Sequence, residues 1–212
     1  DKFIQVVSCN THNISSIIKT IAFEDEENFL EFAKFNCIRR ANDVSQSNGF
    51  IASPQIGTHD DNKFGTHHAK DASLLFNTIN HNLDLFSSAI KINTQYMHIL
   101  YFNLKLKKNI SMEQVLEKFK KNDRIAITNK VDSCEVFSFG RDHGHFGRIL
   151  NQAVISIPSL HIRNNNELLG YCFTPQDGNS LLSSVAAACW FLNPSNYEDK
   201  IQCLKPYLFK EV

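Results

Sequence analysis

The sequence lacks an excess of charge of either sign and any long apolar run. Its 212 residues carry 22 Lys and Arg against 22 Asp and Glu, a formal net charge of +0 at pH 7. Binding to nucleic-acid phosphates requires a surplus of cations, so we expect no nucleic-acid partner. No apolar run approaches the roughly 20 residues of a membrane-spanning helix, so we expect a soluble protein without a membrane partner. The length is that of one domain or of two small ones, and the pattern of predicted elements favours a single domain over residues 1–212.

Paired cysteine motifs are also absent. The six cysteines include no Cys-x-x-Cys pair, and their spacing matches no zinc pattern, so we expect no bound metal. The first residues, Asp1 to Ile4, lack the layout of a secretory signal. A chain of this length needs no disulfide to fold, and both points together predict reduced thiols and a cytoplasmic location.

No dinucleotide-binding fingerprint is present. Gly140, Gly144 and Gly147 do not form Gly-x-Gly-x-x-Gly, and no strand–helix–strand unit is predicted around them. We therefore expect that these 212 residues alone do not bind a nicotinamide cofactor well.

The sequence does contain regular apolar patterns. Alternation and short apolar runs predict strands at 3–7, 32–40, 88–93, 97–107, 124–128, 153–158 and 169–174. Helical spacing predicts helices that begin near Cys9, His68 and Ser111, and a last helix over 179–192. This order indicates one α+β domain, with strands in pairs or meanders and helices packed on one face of the sheet.

Two details of this pattern are specific enough to check. The predicted inward faces of the second and last helices are Ala72, Leu75, Phe76 and Ile79, and Leu182, Val185, Ala186 and Cys189. Residues 43–66 are rich in Ser, Asn, Gly, Asp and Pro, which predicts a long loop within the domain. Loops of this length tend to be functional or disordered.

Cys9 is the strongest candidate for chemistry. It follows an apolar segment and stands among Ser8, Asn10 and Thr11, residue types that begin helices. A thiol at a helix N-terminus lies in the positive end of the helix dipole, which favours the nucleophilic thiolate. The free N–H groups there can also stabilise an oxyanion. The alternative is that Cys9 is a small residue tucked into a turn.

Histidines provide the other candidates. His67 and His68, with Lys70 beside them, open a predicted helix and suit an anion such as phosphate, or else form a solvated loop end. His98 lies on a strand face of Leu and Phe, where it is either a general base or a hydrogen-bonded core histidine. Arg40 ends a predicted strand, and a surface ion pair is its simplest interpretation.

In this order the motifs resemble the archaeal-type (class II) glyceraldehyde-3-phosphate dehydrogenases, in their catalytic domain. The matching segments are Val7-Ser8-Cys9-Asn10-Thr11, Arg39-Arg40-Ala41-x-Asp43, His67-His68-Ala69-Lys70-Asp71, Met97-His98, Phe139-Gly140-Arg141-Asp142 with Gly144, and Gln176. The resemblance extends through most of the chain. It implies a mixed, mainly antiparallel sheet with helices over one face, and no Rossmann half within this chain.

The resemblance also implies a role for each matching residue. Cys9 would add to the aldehyde carbon of a small phosphorylated aldehyde, and His98 would take the proton and polarise the carbonyl. Hydride transfer to NAD or NADP would leave a thioester, which inorganic phosphate cleaves to an acyl phosphate. The implied substrate and phosphate contacts are Ser8, Asn10, Thr11, His68 and Ala69. The implied cofactor contacts are Arg40 and Gln176.

Three departures from the family pattern matter. His12 replaces a second Thr, Leu100 replaces the second His of a Met-His-x-His pattern, and Pro175 stands where the family has His. The family's dinucleotide-binding half lies outside these residues, so a Rossmann-domain partner, a homo-oligomer or both are implied. A catalytically inactive descendant that serves as a binding or structural subunit is the alternative. A related semialdehyde dehydrogenase fits the Ser-Cys-Asn-Thr and His-His-Ala-Lys-Asp combination less well.

Overall fold

A computed structural model describes residues 3–42 and 49–212 of the chain. Its helices are α1 (Cys9–Ala22), α2 (His67–Asn77), α3 (Met112–Lys121), α4 (Ser133–His143), α5 (Leu181–Leu192) and α6 (Tyr197–Lys200). The strands of the first half are β1 (Phe23–Glu24), β2 (Glu27–Asn28), β3 (Leu30–Arg39), β4 (Gln55–Ile56), β5 (Leu85–Lys91) and β6 (His98–Leu106). Those of the second half are β7 (Ile125–Thr128), β8 (Ala153–Ser156), β9 (His161–Arg163) and β10 (Glu167–Thr174).

Eight strands form one mixed sheet in the order β4-β5-β3-β6-β10-β8-β7, with β9 paired to β10. The β3–β5 and β7–β8 pairs are parallel and the others are antiparallel. The α+β class and the mixed sheet are therefore as predicted. The register places Cys37 opposite Leu100, and Leu100 opposite Cys172, across the three central strands.

The main core lies between one face of this sheet and helices α1, α2 and α3. The alternation predicted for β6 is confirmed, because Leu100, Phe102, Leu104 and Leu106 are all fully buried on this face. Helix α1 contributes Ile14, Ile17, Ile18 and Ile21, at the spacing that presents one stripe to the sheet. Burial of these four side chains against the sheet is favourable only in this orientation of α1. The isoleucines therefore fix the helix and with it the position of Cys9.

Helices lie on both faces of the sheet, so the prediction of helices on one face is wrong in part. Helix α4 was absent from the predicted elements, and its residue Val136 packs with Ala126, Val154 and Phe173 on the opposite face. These strand residues alternate with those of the main core, since successive side chains point to opposite faces. The remainder of that face, on β3, β6 and β10, carries no helix among the described residues.

Other predicted details are corrected by the structure. Residues 3–7 form no strand, and Phe3 is 91% exposed. Leu75 and Ile79 are exposed, so only Ala72 and Phe76 of the predicted α2 stripe are buried. In α5, Leu182 alone of the predicted face is buried. In each case an apolar residue was expected to be buried, but no described part of the chain covers it.

The predicted long loop contains more structure than expected. Residues 43–48 of it lie outside the described residues, and residues 49–66 include β4 at the edge of the sheet. The loop ends at Gly65, whose φ is +75° and whose backbone lies against Ser87, so that a Cβ there would be 2.2 Å from the Ser87 carbonyl oxygen. Only glycine fits this approach, which fixes the start of α2 beside β5. No helix within 3–42 or 49–212 is long and apolar enough to cross a membrane.

Candidate active site

The candidate residues converge at one end of the sheet. Helices α1 and α2 begin there, β3 ends there with Arg40 following it, and β6 begins with His98. Thr174, the last residue of β10, lies opposite His98 in the register. The topology therefore brings together segments that are far apart in sequence.

Cys9 is the first residue of α1, as predicted. The N-cap is Ser8, whose hydroxyl accepts a hydrogen bond from the Thr11 backbone N–H at 3.4 Å and lies 2.9 Å from the Thr11 hydroxyl. The Cys9 residue is half-buried, and its carbonyl accepts from the Asn179 amide at 3.0 Å. This cap holds Cys9 in the first turn, where the helix dipole and the first-turn N–H groups favour a thiolate.

A second thiol, Cys37 of β3, lies within electrostatic range of Cys9. Burial raises the pKa of the Cys37 thiol well above its usual range, and Cys9 adds to that effect. Burial likewise raises the pKa of Cys172 to about 12. Of these three neighbouring thiols, Cys9 alone is both partly accessible and at a helix N-terminus, which makes it the nucleophile candidate.

Asn10 connects the starts of α1 and α2. Its amide nitrogen lies 3.3 Å from Nε2 of His68, and its amide oxygen accepts from the Thr174 hydroxyl at 3.4 Å. The other His68 nitrogen, Nδ1, lies 3.0 Å from the Thr66 hydroxyl. Burial lowers the pKa of His68 to about 3, with His67 adding to the effect. The His68 ring is therefore neutral and occupied at both nitrogens.

Ala69 is fully buried, and its backbone N–H donates to the Ser87 hydroxyl at 3.0 Å. The Ser87 hydroxyl is in turn 2.6 Å from that of Thr66. The His68–Ala69 segment, which was predicted to bind phosphate, is thus held by hydrogen bonds to Thr66 and Ser87. Its role toward an anion stays a prediction.

His98 is held by the chain on both sides. Its Nδ1 accepts the backbone N–H of Arg40 at 2.9 Å, and its own backbone N–H donates to the Gln176 side-chain oxygen at 3.2 Å. Burial lowers the pKa of His98 to about 3, with Arg39 and Arg40 adding to the effect. A neutral ring whose Nδ1 accepts a hydrogen bond carries its proton on Nε2. His98 is therefore set up to donate a hydrogen bond from Nε2.

Arg40 is buried, and its guanidinium forms an ion pair with Asp177. The shortest contact joins Nη2 of Arg40 to Oδ1 of Asp177 at 3.2 Å, and Nη1 lies 3.4 Å from Oδ2. The Arg40 side chain is 2% exposed and that of Asp177 35% exposed, so the ion pair opens toward solvent at its carboxylate. The sequence suggested a surface ion pair for Arg40, and the structure instead buries the arginine.

The structure brings all nine proposed site residues to this end of the sheet and adds others. Asn13 donates to the Thr174 hydroxyl at 2.9 Å and to the Cys172 sulfur at 3.2 Å. Asn179 links the Cys9 carbonyl to the same cluster. No sequence signal announces these residues, because their partners lie about 160 positions away. Asp177 stands next to Gln176 in the sequence, but its contact with Arg40 spans 137 positions.

Metal chemistry has no candidate site in the described residues. No three side chains of His, Cys, Asp or Glu there are grouped so that they could hold an ion. None of the six cysteines is paired in a disulfide.

Comparison with known proteins gives a distant but extended match. No family model matches the chain. It is 28% identical over 179 residues to the glyceraldehyde-3-phosphate dehydrogenase of Saccharolobus islandicus, covering 80% of this chain and 48% of that protein. The enzymes of Saccharolobus solfataricus and Sulfolobus acidocaldarius are each 27% identical over the same coverage. The chain thus spans about half the length of the curated relatives it matches, and the similarity supports a glyceraldehyde-3-phosphate dehydrogenase-like domain.

Proposed function

We propose that this chain is the catalytic domain of a phosphorylating glyceraldehyde-3-phosphate dehydrogenase-like oxidoreductase. The observation that carries the proposal is the placement of Cys9 at the capped start of α1, at the end of the sheet where His98 and Arg40 also lie. The similarity to archaeal enzymes of that name supports the same reaction class.

In the proposed reaction, the Cys9 thiolate adds to the aldehyde carbon and forms a thiohemiacetal. The N-terminus of α1 stabilises the thiolate, and the Nε2–H of His98 donates to the aldehyde oxygen as it gains negative charge. The tautomer of His98 favours this donor role over the proton-accepting role implied by the family resemblance. Hydride transfer is the chemistry that NAD or NADP would supply, and inorganic phosphate then cleaves the Cys9 thioester.

The residues of this chain fit one edge of a cofactor site only. Arg40 forms an ion pair with Asp177, and the Gln176 side chain accepts from the backbone N–H of His98. Neither residue provides a site for the phosphates of a dinucleotide. We therefore propose that a Rossmann domain, on a partner chain or elsewhere in the same protein, supplies the remainder. Helix α5 provides a surface for it, since Leu181, Val185 and Leu192 form an exposed apolar stripe at helical spacing.

A homo-oligomer is proposed through the open face of the sheet. There, the rings of Tyr101 and Tyr171 lie with centroids 5.2 Å apart. Tyr171 is 42% exposed on this face, and tyrosine is enriched at protein interfaces. Light scattering should give the mass of a dimer or tetramer, and a monomer at all concentrations would contradict this part of the proposal.

The site is tested by measuring the iodoacetamide alkylation rate of each cysteine between about pH 5 and 9 by peptide mass spectrometry. An ordinary thiol, with a pKa near roughly 8.5, reacts slowly at the acid end. We expect half-buried Cys9 to react faster near neutral pH than exposed Cys203, and His98→Ala to reduce that advantage. Cys9 reacting no faster than Cys203 would contradict an assembled site.

An inactive binding or structural subunit is the second candidate. The occupied ring of His68 and the neutralised charge of Arg40 favour it, because both groups are already satisfied within the chain. The two candidates differ in Cys9, whose reactivity matters for an enzyme and not for a scaffold. An ordinary pH profile at Cys9 would therefore favour the subunit.

A further inference from the structure

A cavity of about 430 Å³ lies on a different face of α1 from the candidate active site. Helix α1 lines it with His12, Ser15, Ser16 and Lys19, at the spacing of one helix face, and none of the proposed site residues lines it. Its apolar wall comes from the N-terminal segment, the end of α2 and the inner side of α5. The apolar residues are Ile4, Val6, Val7, Leu75, Phe76, Ile79 and Ala187.

Among the described residues that line this cavity, the charges are of one sign. Lys19 and Arg124 contribute cations, and no Asp or Glu is among the described residues that line it. Arg124 is half-buried, and its guanidinium forms no hydrogen bond or ion pair with another described residue. The adjacent Asp123 is instead bonded to Lys205 and Lys210. A guanidinium keeps its charge at any physiological pH, so an anion bound beside this half-buried group would offset its partial loss of hydration.

The cavity is also lined by residues with hydrogen-bonding side chains. The hydroxyl oxygen of Ser15 is buried and has no hydrogen-bond partner. Nε2 of His12 lies 3.0 Å from the Ser183 hydroxyl, which also accepts from the Gln152 amide at 3.3 Å. Because the Ser15 oxygen is inaccessible, it is not a ligand contact, and the polar lining of the cavity comes from residues such as His12, Gln152 and Ser183.

We infer that this cavity binds a small organic anion with an apolar chain and a carboxylate head. The apolar wall would take the chain, and Arg124 would take the carboxylate. The Lys19 ammonium is bonded to the Asp25 carbonyl at 3.3 Å and lies over the Phe23 ring, so it adds positive charge without a direct contact. Volume and lining are those of a small-molecule site, in which a few polar groups orient a ligand among apolar ones. A polyphosphate fits less well, because two cations cannot neutralise it and the apolar wall would stay uncovered. This inference does not depend on the proposed redox reaction.

Calorimetric titration with octanoate, octan-1-ol and inorganic phosphate tests the site. Octanoate should bind at one molecule per chain and at least about tenfold more tightly than octan-1-ol, because a charge-assisted hydrogen bond is worth that factor or more. Phosphate alone should bind far more weakly than octanoate. Octanoate that does not bind, or binds no better than octan-1-ol, would overturn the inference.

Variants locate the binding. Arg124→Gln should reduce octanoate affinity to that of octan-1-ol, and Ala187→Phe should block both ligands by filling the cavity. Arg163→Gln, at an arginine whose side chain is 63% exposed and does not line the cavity, is the control and should leave octanoate affinity unchanged. If Arg124→Gln does not fold, Arg124→Lys keeps the charge and should retain part of the preference. Octanoate affinity unchanged in both Arg124→Gln and Ala187→Phe would place the binding elsewhere and overturn the assignment.

Discussion

Helix α5 is more apolar than helix α1 but much less buried. Helix α5 is almost entirely apolar, yet Leu182 is its one buried residue. Helix α1 mixes isoleucines with Asn, Thr and His, and most of its residues are buried. The difference lies in position, since α1 is enclosed by the sheet, α2 and α3, whereas α5 packs on one side only. Burial is thus a property of where the chain puts a helix, and the exposed side of α5 has the character of a contact surface.

The largest expected loss of stability comes from shortening a core side chain of α1. Ile17→Ala removes a fully buried side chain from the core and should lower the free energy of unfolding by about 2–5 kcal/mol. Urea unfolding followed by circular dichroism measures it. Leu192→Ala in α5 is the control, because that residue is 83% exposed and should cost less than about 0.5 kcal/mol. Equal losses in the two variants would remove the distinction between the helices.

The next largest effect is a loss of folding stability in acid, caused by buried histidines beside the start of α1. The pKa values of His68 and His98 are about 3 in the fold, against about 6.5 for an unfolded histidine. Below pH 6.5 the unfolded chain therefore binds more protons, and stability falls as the pH drops from about 6.5 toward 3. Each histidine should contribute about 1.4 kcal/mol per pH unit in that window.

Urea midpoints at pH 7, 6 and 5 measure this slope. His68→Gln and His98→Gln should each flatten it, whereas His161→Gln, at an exposed histidine of β9, should leave it unchanged. A slope that is the same in all four proteins would show that the two buried histidines are not the cause.

A smaller change concerns the cap of α1. Ser8→Ala removes the side chain that accepts from Thr11 and should cost about 1 kcal/mol, while Cys9 alkylation near neutral pH slows because the first turn frays. Ser111→Ala removes the equivalent cap of α3 and is the matched control. It should cost a similar free energy and leave the Cys9 rate unchanged, and a slowed Cys9 in that variant would refute the local explanation.

The smallest expected effect on stability is at the α5 stripe. Val185→Gln combined with Leu192→Gln should change the free energy of unfolding by less than about 0.5 kcal/mol, since both side chains are exposed. Binding of the dye anilinonaphthalene sulfonate should nevertheless decrease, because the apolar patch is interrupted. A loss of more than about 1 kcal/mol would show that the stripe is packed against the chain itself.

The sequence was sufficient for the central strands and for the capped start of α1. Alternation in β6 and the cap at Ser8 are local signals, so both could be predicted without knowing the fold. Helix α4 was missed because its apolar residues meet the second face of the sheet, which only the assembled topology defines. The contacts of Asn13, Asn179 and Asp177 could not be predicted for the same reason, as each spans the long separation between α1 or β3 and the end of β10.

The ion pair between Arg40 and Asp177 has a consequence for any phosphate-bearing ligand that approaches this end of the sheet. Arg40 already holds a carboxylate, so a phosphate gains only the difference between its own contact and the one it replaces. Asp177 must also rotate outward into solvent, where its charge is rehydrated. Ligand binding there is an exchange of one anion for another, so its affinity should depend weakly on salt, and Asp177→Asn should strengthen it.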